Sequence, residues 1–302
     1  MVARTLGVGE VGGSNPLVPI IPSVSDSFRF DAFRFDRIRA DFMAKRILIT
    51  NDDGIASPAL SELERALGNL GRTTVVAPER ERSATSHSIT LNRPLRYHRH
   101  GGDRFAVDGT PADCVILACL RILKSDPDLL VSGINRGMNV GDGVLYSGTL
   151  AAAFEGALQG IPSIAVSLEY SDEIDYAATA DYTAVLAHKV LDESLPQGVI
   201  LNLNVPTRWN GGVVLTRQGE KVGKTVLVEH VDPRGEEYFW LHEELHDHSD
   251  IEAEDFPSDI DVMAEGYASL TPLQLDRTAF RYFKALSTWT GIVGAATFKP
   301  KS

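Results

Sequence analysis

The sequence predicts an α/β protein: a mostly parallel sheet with helices on both faces, and a β-rich C-terminal extension. Three observations carry this. Short apolar runs such as Ile47-Leu48-Ile49-Thr50 read as buried strands. These runs alternate with stretches of helical apolar spacing, which is the pattern of βαβ units. The alternation weakens after Pro206, where the pieces at 212–216, 225–230 and 237–241 read as antiparallel β.

From Met43 the elements follow in order. A strand at 46–50 leads to a helix over 57–67, with Leu60, Leu63 and Leu67 on one face. Gly68 and Gly71 lead into a strand at 73–77, closed by Pro78. A hydroxyl-rich loop at 81–88 is followed by extended pieces at 89–91, 95–98 and 104–107, which read as a hairpin excursion outside the core. The turn at 108–113 feeds a helix over 114–123, and a buried strand at 128–131 ends in SGINRGMNVGDG. Tyr146-Ser147-Gly148-Thr149 introduces a small-residue helix over 150–159. A strand at 161–167, a helix over 176–191 and a strand at 199–205 complete the core. An acidic loop spans 243–261, and GYASLTPL is a last strand before an amphipathic tail. The expected organisation is one unit over 43–302, with an α/β core at 43–205 and an extension at 206–302.

Residues 1–42 break with this pattern. Gly, Ser and Pro dominate as far as Ser27, and FRFDAFRFDRIRADF follows. No clear apolar segment with a small-residue cleavage site marks a secretory leader, and Asp26, Asp31, Asp36 and Asp41 oppose a transit peptide. The simplest reading is a disordered or non-native extension ahead of a start at Met43. A tail that binds through Phe28, Phe30, Phe33 and Phe35 is the alternative.

The chain of 302 residues is 43% hydrophobic and 23% charged, a composition that builds an ordinary globular core. A net charge of −12 argues against nucleic-acid binding through a basic face, and a small anionic substrate would need a local cation. The two cysteines, Cys114 and Cys119, sit in an apolar helix-like run and read as reduced core thiols. No apolar run reaches the roughly 18 residues of a membrane span, so no membrane partner is expected and the expected location is cytoplasmic.

Asp52 and Asp53 lie where a parallel strand ends, the edge at which open α/β sheets bind ligands. Adjacent carboxylates there repel each other and lose solvation. A divalent cation relieves both penalties, and hard oxygen donors suit Mg²⁺, Mn²⁺ or Ca²⁺ better than zinc. Ser83 and Asn135 stand after two other strands, on the same edge of a parallel sheet, and complete a four-donor, all-oxygen set. The alternative is structural: Asp52 as helix cap, Asp53 in its first turn, Ser83 and Asn135 as turn residues. Ser147, Gly148 and Thr149 open a helix, where free N–H groups and the helix dipole favour a phosphate; a plain N-cap is the rival reading. His87 reads either as a proton donor or as an ordinary loop histidine. His242-Glu243-Glu244-Leu245-His246 matches the HExxH zinc pattern, but it follows a strand-like EYFWL and makes a poor helix. No dinucleotide-binding or Walker fingerprint is present.

Taken together, RILITNDDGI, VVAPERERSATSHSIT, GTPADCV, DLLVSGINRGMNVG, YSGT and GYASLTPL resemble the SurE (survival protein E) family of 5'/3'-nucleotidases, over Met43 to about Leu273. The resemblance implies a Rossmann-like core with a β-hairpin extension. It also implies one divalent metal per subunit held by Asp52, Asp53, Ser83 and Asn135, and hydrolysis of nucleoside monophosphates. Homodimers or homotetramers formed through C-terminal segments are implied as well. Residues 1–42 and the HEELHDH stretch have no counterpart in the family pattern. The reading is metal-assisted phosphomonoester hydrolysis by activated water, with Asp52 and Asp53 catalytic through the metal. Its rivals are an aspartyl-phosphate phosphatase and a non-catalytic nucleotide or phosphate sensor.

Overall fold

Helices cover both faces of the central sheet, which is why its inner strands are apolar on both sides. The computed structural model describes residues 45–172, 174–220, 223–245 and 256–289. The strands of the first half are β1 (Arg46–Thr50), β2 (Arg72–Pro78), β3 (Tyr97–Gly101), β4 (Arg104–Val107) and β5 (Leu129–Arg136). Those of the second half are β6 (Ser163–Leu168), β7 (Val199–Val205), β8 (Val213–Leu215), β9 (Gly223–Val231), β10 (Glu237–Leu245) and β11 (Ala268–Gln274). The helices are α1 (Pro58–Leu67), α2 (Pro111–Leu117), α3 (Gly148–Leu158), α4 (Ala177–Glu193), α5 (Asp259–Ala264) and α6 (Phe283–Leu286).

The main sheet has nine strands in the order β3-β4-β2-β1-β5-β6-β7-β11-β8. The stretch from β4 through β2, β1, β5 and β6 to β7 is parallel throughout. The chain runs outward from β1 through β2 to β4, then returns to lay β5 on the other side of β1. The boundary between β1 and β5 is therefore the topological switch point, and a crevice opens beyond their carboxyl ends.

Alternation along each strand divides the core. Ile47, Ile49, Val75 and Val131 pack beneath Leu60, Leu63 and Leu67 of α1 and Leu186 and Val190 of α4. Leu48, Val76, Leu130 and Ile200 pack beneath Cys114 and Val115 of α2 and Leu150 and Phe154 of α3. Both cysteines are free thiols, Cys114 buried and Cys119 partly so.

Five sequence expectations are corrected. The piece at 89–91 is not a strand. The 95–107 region does contain the antiparallel β3–β4 hairpin, but β4 pairs parallel with β2 and so extends the main sheet rather than leaving it. The helix expected from 114 starts at Pro111, because Thr110 and Asp113 form a capping box, and it closes in a π-helical turn over Ala118–Ile122. β8 pairs parallel with β11, not antiparallel. The acidic stretch expected as a loop over 243–261 contains the end of β10 and the start of α5, whose first turn is capped by Ser258.

The extension joins the core through β11, which pairs antiparallel with β7. It also reaches back to the crevice. Asp259, fully buried at the start of α5, accepts the N–H of Gly141 at 3.2 Å and of Gly219 at 2.8 Å. Nearby, Asn139 is held by Asn204, Asn202 and Ser167 in a buried amide network. The β9–β10 ribbon forms a separate two-stranded sheet. His242 to Leu245 belong to this strand, where residues four apart are separated by roughly 13 Å, so the helix an HExxH zinc site needs is not formed. His246 and residues 1–42 lie outside the described residues.

The β5–β6 register shifts between Ser132 and Asn135. Gly133 makes this bulge possible: its φ is +142°, and a Cβ there would lie 2.3 Å from the Val166 carbonyl oxygen. Gly133→Ala should force the two strands apart and cost about 3 kcal/mol of stability. The urea midpoint measures it, and an unshifted midpoint would contradict the close approach.

Candidate active site

β1 delivers its last buried residues into a tight turn. Asn51 closes that turn from both sides, accepting from the Gly54 N–H and donating to its carbonyl, each at 3.1 Å. Gly54, at φ +98°, lets the chain pass the backbone of Arg80. Asp52 and Asp53 therefore sit in a loop before α1, whose N-cap is Ser57. The alternative in which Asp52 caps the helix and Asp53 occupies its first turn is thereby set aside.

A cleft of about 930 Å³ opens at this edge, and Asp52, Asp53, Ser83, Asn135 and Ser147 all line it. These five predicted residues are thus brought together from the ends of three strands and one helix, whereas Gly148 and Thr149 are buried behind Asp52 and do not line the cleft. Asn135 follows the β5 bulge and donates its amide to the Gly137 carbonyl at 2.8 Å, which leaves its oxygen to serve a cation. The Ser83 hydroxyl donates to Glu81 at 2.6 Å and keeps its lone pairs. The loop holding Ser83 is left-handed at Ala84 (φ 54°) and Ser86 (φ 50°). Ser86 pins it in this form by bonding the carbonyls of Tyr146 and Leu145.

α3 packs close to the sheet. A Cβ on Gly156 would meet the Ser163 hydroxyl at 2.4 Å, so only glycine permits this approach. Its N-terminus is thereby pressed against β1. Thr149 Oγ1 donates to Asp52 Oδ1 at 2.5 Å, and a Cβ on Gly148 would lie 3.0 Å from Asp52 Cβ and Oδ2. Ser147 caps the helix by accepting from the Leu150 N–H. Gly148 thus makes room for the carboxylate, and the Thr149 side chain is committed to orienting it.

The electrostatics are severe. Burial pushes the Asp52 carboxyl up, and the Thr149 hydrogen bond offsets part of that rise. Burial pushes Asp53 up to about 7, helped by the charges of Asp52 and Glu81, while the Arg136 backbone and guanidinium pull it down. Asp53 Oδ2 is buried and has no hydrogen-bond partner. An orphaned carboxylate oxygen beside a second carboxylate, with serine and asparagine oxygens in the same cleft, fits a hard divalent cation. Among the described residues no group of three His, Cys, Asp or Glu side chains is placed to hold a metal ion, so nothing there resembles a nitrogen- or sulfur-rich zinc site.

Sequence reasoning passed over Glu81, Thr149's role toward Asp52, and Arg136. Glu81 lay in the alternating charges of ERERS, and no local pattern links Thr149 to Asp52 across the sheet. His87 instead pairs with Glu155, 3.0 Å away, and holds that carboxyl below its usual range. It does not line the cleft.

The fold and site define a class: an α/β protein with an all-oxygen carboxylate centre at the switch point of its sheet. The chain belongs to the SurE family, whose model, "Survival protein SurE", matches residues 47–225. A "5'-nucleotidase SurE" of Syntrophotalea carbinolica is 46% identical over 246 residues, covering 81% of this chain and 97% of the relative. One of Moorella thermoacetica is 43% identical over 251 residues, covering 80% and 95%. The crystal structure of the SurE protein from Aquifex aeolicus matches with a TM-score of 0.70 at 39% identity, over 80% of this chain and 98% of that one.

The Asp53 environment generates a test in the metal-free protein. Unfolded, this carboxyl titrates near 3.8; folded, at about 7. Between those values the folded state keeps a proton that the unfolded state has lost, so stability falls as pH rises through the interval and levels off above it. In EDTA, Asp53→Asn should melt progressively higher than the parent from about pH 4 to about pH 7, with a constant gap beyond. A gap independent of pH would show that Asp53 is not buried as described.

Proposed function

We propose that this chain is a metal-dependent phosphomonoesterase that hydrolyses nucleoside monophosphates to nucleoside and phosphate, in the manner of a 5'-nucleotidase. The observation that carries the reading is the partnerless, buried Asp53 oxygen beside Asp52 at the foot of the cleft. The 5'-nucleotidase names of relatives matched over nearly their whole length support it.

In this reading Asp52, Asp53, Ser83 and Asn135 hold one Mg²⁺ or Mn²⁺. Bound there, the cation supplies Lewis-acid charge for the phosphoryl group and an activated water for attack. Thr149 fixes the rotamer of Asp52, so that carboxylate needs little reorganisation when charge develops. The N–H groups of Ser147 and Gly148 at the α3 terminus, with Asn135, hold phosphoryl oxygens, while the Thr149 N–H, expected in the same cradle, is spent on Asp52. Burial of Asp52 and its bond to Thr149 argue against its use as a covalent nucleophile.

No helix of the described residues is long and apolar enough to cross a membrane, and a cytoplasmic location fits the reading. The β9–β10 ribbon carries Leu227, Phe239, Trp240 and Leu241, large apolar side chains left at least half exposed by the described residues. This supports a homodimer or homotetramer built through the extension, and sedimentation equilibrium finding only monomer would overturn it.

A nucleotide panel assayed for phosphate release tests the function. Release should require a divalent cation and vanish in EDTA. Asp52→Asn and Asp53→Asn should each lose at least about a hundredfold in kcat/KM with the circular dichroism spectrum unchanged. Full activity in either variant, or in EDTA, would overturn the metal assignment; no release from any nucleotide would leave the sensor reading.

A further inference from the structure

The cleft is far larger than a phosphate group needs. Its lining also carries large side chains left open to solvent: Tyr146 is 61% exposed, Tyr170 58% and Met138 40%. Such residues scattered singly over a surface need no explanation, but gathered in one cleft they mark a face that a ligand covers. Tyr170 is also held in place. The Arg136 guanidinium lies over its ring, 4.5 Å from the centroid. Arg136 ends β5 directly after Asn135, and Tyr170 follows the end of β6, the strand paired with β5. The stacked pair is thus anchored on the same sheet edge as the carboxylates. The charge of Arg136 reaches both Asp53 and Tyr176, so the pair borders the metal end of the cleft.

We propose that the Arg136–Tyr170 stack is the platform on which the substrate's nucleobase lies, gripping it by its π-face. A guanidinium on a tyrosine ring makes a flat, rigid layer, and a base adds to such a layer with little ordering cost. Stacking is tolerant of base identity because every base has a π-face. The platform therefore selects for the presence of a base and only weakly for which base it is. This rests on the nucleotidase reading, and it assigns to residues outside the metal and phosphate sets the task of telling a nucleotide from a base-free sugar phosphate.

The test is the ratio of kcat/KM for adenosine monophosphate over ribose 5-phosphate, measured by phosphate release with saturating Mg²⁺ or Mn²⁺. Tyr170→Ala should lower that ratio roughly tenfold, the loss expected when one stacking ring is removed. Tyr170→Phe, which keeps the ring, should hold the ratio within about twofold, a rescue that a merely structural tyrosine would not produce. Cytidine monophosphate should follow adenosine monophosphate in both variants. If both esters are hydrolysed and Tyr170→Ala leaves the ratio unchanged, the platform is wrong while the nucleotidase reading stands. If the parent protein releases phosphate from neither ester, the nucleotidase reading falls and the platform with it.

Discussion

Two adjacent carboxylates at the buried end of β1 are the constraint around which the rest is arranged. Neither Asp52 nor Asp53 gains from burial, the charge of Asp52 raises the cost of ionising Asp53, and that of Glu81 weighs on both. A fold that wanted only stability would place apolar residues there. Everything nearby moderates the conflict without removing it: the Asn51 clasp fixes the turn, Thr149 donates to one carboxylate, and Arg136 pulls the other down. The remaining imbalance is what a cation would relieve in the proposed reading.

Placing the other donors takes two glycines in unrelated roles. Gly133 allows a bulge that shifts the β5–β6 register just before Asn135, which pairs with Ser167 beyond it. Gly156 lets α3 sink onto the sheet until its first turn touches Asp52. Both act at a distance from the chemistry, through how closely backbone can approach backbone or side chain. The parallel sheet does the rest, since it presents the ends of its strands on one edge.

The core strands were legible because burial on both faces leaves an apolar run that nothing else produces, as at Ile47 to Thr50 and Val199 to Val205. Motif residues at strand ends were legible for a related reason: polar clusters interrupting such runs have few structural uses. Strand direction was not legible. β4 and β8 are too short for their pattern to separate parallel from antiparallel pairing, which depends on neighbours distant in the chain. α5 was hidden because its acidic residues mask a short apolar face, Val262 and Met263, that shows itself only when packed. The bond from Thr149 to Asp52 joins residues 97 positions apart and leaves no periodic trace.

The carboxylate of Asp259 has a consequence for how the molecule responds as a whole. It grips Gly141, beside the cleft, and Gly219, in the extension, with one side chain. Two regions sharing a single buried acceptor are thermodynamically linked: free energy that orders one is felt by the other, and by the same amount in reverse. The segment beside the cleft and the C-terminal extension are therefore tied through one buried side chain.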